Sequence, residues 1–253
     1  MGETRSDPQD RIARPGGAGE ASNARSASEG PGGRPGAPAP ASRLDGPTYA
    51  TLAAHAPTLG LTVLGALHED GTIVLLGPDP TRFWPRLTAS PEWGGPDPVD
   101  RWSARVIGAW AREIGATPRF PFGGPPWEPF LRWATASGRC HASPVGPLVH
   151  DALGLMVSFR GALHLPDTLD LPAPPPSSCA GCAAPCTTAC PVGALSDAHP
   201  YDVPACHSFL DTAEGTDCLA GGCRVRRACP ASPARPAAQS AHHMAHFHRT
   251  ERM

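Results

Sequence analysis

The chain contains no lysine: all 21 of its basic residues are arginine. That excludes lysine Schiff-base chemistry and the lysine-dependent phosphate-binding loop. Basic charge is not in excess either, since the formal net charge is −2, so nucleic acid is not suggested as a partner. No apolar run approaches the roughly 20 residues that span a bilayer, and a membrane partner is not expected. No secretory apolar region is visible, which leaves a disulfide framework unsupported. With so many cysteines left as thiols, a reducing cytoplasm is the expected location.

The chain is rich in proline, with 33, and glycine, with 28, among 253 residues. Residues 1–45 have almost no large apolar side chains, so burial cannot offset their ordering entropy; a disordered tail is expected. Folded structure is expected from Thr48. Tyr49 to Ala56 reads as a short helix. Residues 61–67 and 72–77 are β-prone runs around an Asp70-Gly71 turn, a hairpin signal. Val99, Trp102, Val106, Ile107, Trp110 and Ile114 recur at helical spacing, predicting a helix over 98–114. Asp97 is its expected cap, Pro98 fits its first turn, Asp100 faces the positive end of its dipole and Gly115 ends it. The tryptophan pair is read as core. Residues 117–128 form a loop rich in Pro, Gly and aromatics, Trp127 to Ala136 a short helix, and 144–165 two further strands. Residues 167–178 form a Pro-rich linker, stiff and extended.

Eight of the nine cysteines fall between Cys179 and Pro230. The first four, Cys179, Cys182, Cys186 and Cys190, end on Pro191; the next four, Cys206, Cys218, Cys223 and Cys229, end on Pro230. So short a segment with few large apolar residues needs staples. The first half, Cys-x2-Cys-x3-Cys-x3-Cys-Pro, is one residue longer than the bacterial ferredoxin pattern for [4Fe–4S] clusters. Eight thiols suit two cubes. Structural zinc also takes four thiolates, but only Cys179–Cys182 has the two-residue gap of a zinc knuckle, and zinc gives no reason for two Cys-Pro endings. Glycines 181, 193, 221 and 222 offer backbone N–H donors to sulfur. Arg224, Arg226 and Arg227 are read as steering an acidic redox partner, as raising a cluster potential, or as a plain solvated face. Cys140 stands alone and is read as an ordinary cysteine. In the terminal histidine-rich run, His242 and His246 are spaced for one helix face and a possible metal; packing of Met244 and Phe247 is the favoured reading.

At CPVGAL, the lone Cys206 before HSFL, GGC and ACP, residues 178–248 resemble the two-cluster ferredoxin module of epoxyqueuosine reductases. The resemblance implies that Cys179, Cys182, Cys186 and Cys229 share one cube, and Cys190, Cys206, Cys218 and Cys223 the other. The gaps Cys218-x4-Cys223 and Cys223-x5-Cys229 are wider than the family's. A second resemblance, over residues 60–166 at IVLLGPDPTRFW, DPVDRW and LVHDALGLMVSFRGALHLP, is to the cobalamin-processing protein of methylmalonic aciduria type C. It implies a nitroreductase-like fold holding a corrinoid, with Arg160 and then His150 as cofactor-binding candidates, each with a plainer reading as a turn arginine or a satisfied strand-end histidine. No counterpart of the reductase's acid-catalyst segment is present. The expected architecture is therefore α+β: a disordered tail (1–45), a nitroreductase-like α+β domain (46–166) for a corrinoid or flavin, a linker, and a ferredoxin-like double [4Fe–4S] module (179–248). The expected role is single-electron relay from a redox partner protein, with corrinoid-linked reductase activity as its enzymatic form. The alternatives are a non-catalytic ferredoxin-like partner and a metal-stapled interaction module.

Overall fold

Strand β2 (Thr72–Pro78) is the centre of the protein, and every one of its seven residues is buried. It pairs antiparallel with β1 (Leu61–His68) on one side and β6 (Gly161–Leu165) on the other, and β3 (Thr117–Arg119) closes the far edge. The computed structural model describes residues 46–250, with helices on both faces of this antiparallel sheet. The expected disorder of residues 1–45 lies outside the described residues.

A strand's side chains alternate between faces, and β2 serves two cores. Val74 and Leu76 face α1 (Tyr49–His55), α2 (Phe83–Thr88) and α3 (Pro98–Glu113), where Leu52, Phe83, Trp102, Ile107 and Trp110 are buried. Ile73 and Leu75 face α4 (Phe130–Ala136) through Phe130 and Trp133. Burial of each such side chain contributes about 1.5–3 kcal/mol, so a strand covered on both faces anchors the sheet. A register shift between Val63 and Gly65 bends β1, and a Cβ at Gly65 would lie 2.7 Å from Ser137 Oγ.

The expected helix over 98–114 is α3, and its two tryptophans are core. Its start differs from expectation. Asp97 holds the N-cap position at φ +42° and makes no side-chain cap, because a capping side chain needs an extended backbone to reach the N2 or N3 amide. Helix α4 starts three residues later than Trp127. Pro129 biases Glu128 away from helical angles, and Trp127 is left 64 % exposed. The hairpin β4 (Cys140–Ala142) and β5 (Leu148–His150) sits beside this helix.

The chain from 166 to 178 has no regular structure but lies against the sheet: Thr72 Oγ1 donates to Asp167 O and accepts from the Leu169 amide, at 2.8 and 2.9 Å. Beyond it come short helices, α5 (Val203–Leu210), α6 (Thr216–Gly221) and α7 (Arg224–Ala228), then α8 (Ala237–Thr250). This half is packed onto the sheet half. Val145, Val149 and Leu155 share a core with Cys186, Leu195 and Val225. Arg226 Nε donates to Leu155 O at 2.6 Å, and Arg235 donates to Met156 O. Among the described residues no helix is long and apolar enough to cross a membrane.

Candidate metal centre

Each cysteine of the dense segment is placed by a local turn. The Cys182 amide closes a turn on Cys179 O, at 3.2 Å. Ala184 at φ +50° then swings Cys186 back on a 3-10 turn (Pro185–Thr188). Cys229 ends α7 with an extended backbone, as expected before a proline. These four thiols line one cavity of about 110 Å³, walled by Val149, Leu155 and Pro230. Cys206 on α5, Cys218 on α6, Cys223 at the start of α7 and Cys190 line another, of about 390 Å³. The thiols therefore stand four and four. All nine cysteines are unpaired.

Electrostatics couple the thiols within each group of four. Burial raises the pKa of Cys179 and Cys186, and the neighbouring thiols of the same group raise it further. Burial likewise raises Cys206, opposed by a hydrogen bond with Tyr201 and reinforced by Cys223, Cys190 and Cys218. Burial raises Cys223, while the amides of Arg226 and Val225 favour its thiolate. Four thiolates crowded in this way need cationic company. Among the described residues, no three His, Cys, Asp or Glu side chains are arranged to hold one metal ion. In number and kind each nest has the donors of a four-iron cube, which takes four thiolates on its outer corners, and equally those of a four-thiolate zinc site.

Two of the four expected glycine donors are engaged elsewhere: the amides of Gly193 and Gly222 are spent on the carbonyls of Cys190 and Cys218. Donors that do reach sulfur include Ala184 N, 3.4 Å from Cys182 Sγ, the Ser177 side chain at Cys179, the amides of Val225 and Arg226, and the Tyr201 hydroxyl. The three arginines form no common face. Arg224 and Arg227 clamp Asp217, whereas Arg226 turns inward to Leu155 O and to His243 Nε2, 3.0 Å away.

A cavity of about 930 Å³ adjoins the second nest; Leu131, Phe159 and His243 line both. Trp84, Phe122 and Trp127 give it aromatic walls, and Arg160 and Arg235 reach its edge. Arg160 is more than a turn arginine: Nη1 meets Asp100 Oδ1 at 3.1 Å and Nε donates to Phe159 O at 2.8 Å. Arg160 is thereby set at the cavity wall, and Asp100 serves it as counter-ion at the start of α3. His150 lines none of these cavities. Its Nε2 donates to Leu64 O at 3.0 Å, and Nδ1 accepts from the amides of Ala152 and Leu153. Both nitrogens are spent, burial lowers its pKa, and its role is to tie β5 to β1. Cys140 is buried in the core beside α4, and desolvation pushes its thiol up to about 12.

His242 packs against Trp84 and Trp93, with ring centroids 5.6 and 5.2 Å away. His243 and His246 also line the large cavity, while Met244 is buried against Leu210 and Cys218 with Phe247 beside it. Tyr201, Arg235 and the Arg226–His243 pair escaped sequence reasoning. The one available hint was that Tyr201 is among only two tyrosines in the chain.

The chain matches no protein-family model, and neither a curated protein nor a solved structure matches it.

Proposed function

We propose that this protein relays single electrons through two [4Fe–4S] clusters to a ring cofactor, a corrinoid or a flavin, seated in the 930 Å³ cavity. In this reading the sheet half is a nitroreductase-like α+β unit and the cysteine-rich half a ferredoxin-like module. The observation that carries it is the division of eight thiols into two nests, one of which shares a wall with the 930 Å³ cavity. Cys179, Cys182, Cys186 and Cys229 would hold one cluster, and Cys190, Cys206, Cys218 and Cys223 the other. A bound cluster supplies one-electron storage at a potential set by charge, hydrogen bonds to sulfur and exposure.

The second nest shares a wall with the cavity and the first does not, which gives the relay its direction: the first receives electrons from a partner protein and the second delivers them to the occupant. Donors bear on both nests, Tyr201, two amides and the Arg226 guanidinium on the second, Ala184 N and the Ser177 side chain on the first. Phe159 and His243, on the shared wall, lie between nest and cavity. Arg160, fixed by Asp100, orients a polar edge of the ring. The test is single-turnover mixing, under anaerobic conditions, of reduced protein with hydroxocobalamin and with flavin mononucleotide. Rapid bleaching of the reduced-cluster signal, with matching reduction of one cofactor, is expected. Clusters that stay reduced in the presence of both would reject the cofactor assignment and favour a carrier that serves another protein.

A further inference from the structure

Of the three guanidinium groups that line the large cavity, Arg132, Arg160 and Arg235, Arg235 is the one with no carboxylate partner among the described residues. Arg160 faces Asp100, Arg132 holds Glu69 through two hydrogen bonds, and Glu128 is taken by Arg119. Asp97, at the start of α3, also lines this cavity. Arg235 has a carbonyl, Met156 O, as its hydrogen-bond partner. The charged group acting on it is another guanidinium, Arg226, and burial with that repulsion brings its pKa down to about 10. Arg226 itself is drawn to the Cys223 sulfur and bonded to His243, so it offers Arg235 no relief. Arg235 is half-buried, and a partly desolvated cation without an anion is costly. A guanidinium also presents five donors in a fork that matches phosphate oxygens.

We propose that the cavity's occupant carries a phosphate group and that Arg235 binds it. Aromatic walls formed by Trp84, Phe122 and Trp127 suit a large flat ring, and the volume lies in the upper part of the range of small-molecule sites. The ligand class is thus a phosphate-bearing ring cofactor, with the ring over the tryptophans and the phosphate at the start of α8. This rests on the cavity being the seat of the electron acceptor.

The experiment compares two ring systems with and without phosphate, on the full chain purified anaerobically: flavin mononucleotide against riboflavin, and hydroxocobalamin against cobinamide. In at least one pair the phosphate-bearing member is expected to bind about tenfold more tightly, the size of a charge-assisted hydrogen bond. Arg235→Gln should abolish that gap while leaving the phosphate-free member within about twofold. Whichever pair shows the gap identifies the source of the phosphate. Equal affinities within both pairs, no binding by any of the four, or a gap that survives in Arg235→Gln would overturn the proposal. The wild-type comparison decides the matter even where the variant is unstable. Iron and sulfide counted on the same sample separate the two failures. Clusters without phosphate preference refute Arg235's role, and phosphate preference without clusters refutes the relay.

Discussion

Replacing Gly154 with alanine places a methyl group where the two halves of the protein meet. Its Cβ would lie 2.6 Å from both the amide nitrogen and Oγ of Ser232 and 2.8 Å from the Ala231 carbonyl carbon, at a backbone φ of +53°. Two of those three atoms belong to the backbone, so the contact is relieved only by moving the segment after Cys229. Overpacking of this kind costs about 1–3 kcal/mol, and the left-handed backbone adds roughly 1 kcal/mol for losing glycine. Gly115 is the control: its φ is +70°, within the same left-handed region, and a Cβ there meets nothing within 4 Å. The backbone cost is therefore shared and the contact cost belongs to Gly154 alone. For a chain of this size 1 kcal/mol moves the midpoint by about 2–4 °C, so Gly154→Ala should unfold about 2–12 °C below Gly115→Ala. The residues that follow Gly154, Leu155 and Met156, hold Arg226 and Arg235 by their carbonyls. Gly154→Ala should accordingly also slow electron delivery from the second nest to the cavity. Scanning calorimetry and the single-turnover assay measure both effects. Equal midpoints for the two variants would refute the docking argument.

Cys223→Ser and Cys229→Ser, in opposite nests, should each lower bound iron by about half, to roughly four atoms, and iron analysis with electron paramagnetic resonance should show a different surviving signal in each. Loss of all iron in both variants, or of none, would contradict the partition. His243 has its pKa held down to about 4 by burial, with Arg226, Arg235, Arg160 and His246 reinforcing the shift; an unfolded histidine titrates near 6.5. Between those values the unfolded chain binds a proton that the folded one refuses, so this contribution is complete above pH 6.5 and is lost as pH falls. Denaturant midpoints should therefore drop further between pH 7 and 5 in the wild type than in His243→Asn, and parallel curves would remove His243 from the account. Ile107→Ala, at a fully buried position of α3, should cost about 2–5 kcal/mol by denaturant titration while leaving iron content unchanged.

The central hairpin, α3 and the cysteine spacing were legible because each rests on a strong local pattern. Two β-prone apolar runs flank Asp70-Gly71, and a 3.6-residue stripe carries Trp102 and Trp110. What was not legible depends on three dimensions. Strands β3 and β4 are three residues each, too short for alternation, and they exist because β6 and β5 lie beside them. Asp97 looked like a cap, but its left-handed backbone removed it from that role and Arg160 recruited Asp100. His150 and Arg160 looked alike as polar residues near strand ends. Only the fold separates them, turning one into a core tether and placing the other at a cavity. Arg226 reads as one of three arginines in RVRR, and its inward turn is set by α7 packing on Leu155. Arg235, between prolines, carries no motif at all.

The central claim is that two groups of four thiols each hold an iron–sulfur cube. Counting iron and acid-labile sulfide per chain after anaerobic purification tests it most directly. About eight of each per chain is the predicted result. A folded, colourless protein with stoichiometric zinc, or with no metal and no sulfide, would contradict it.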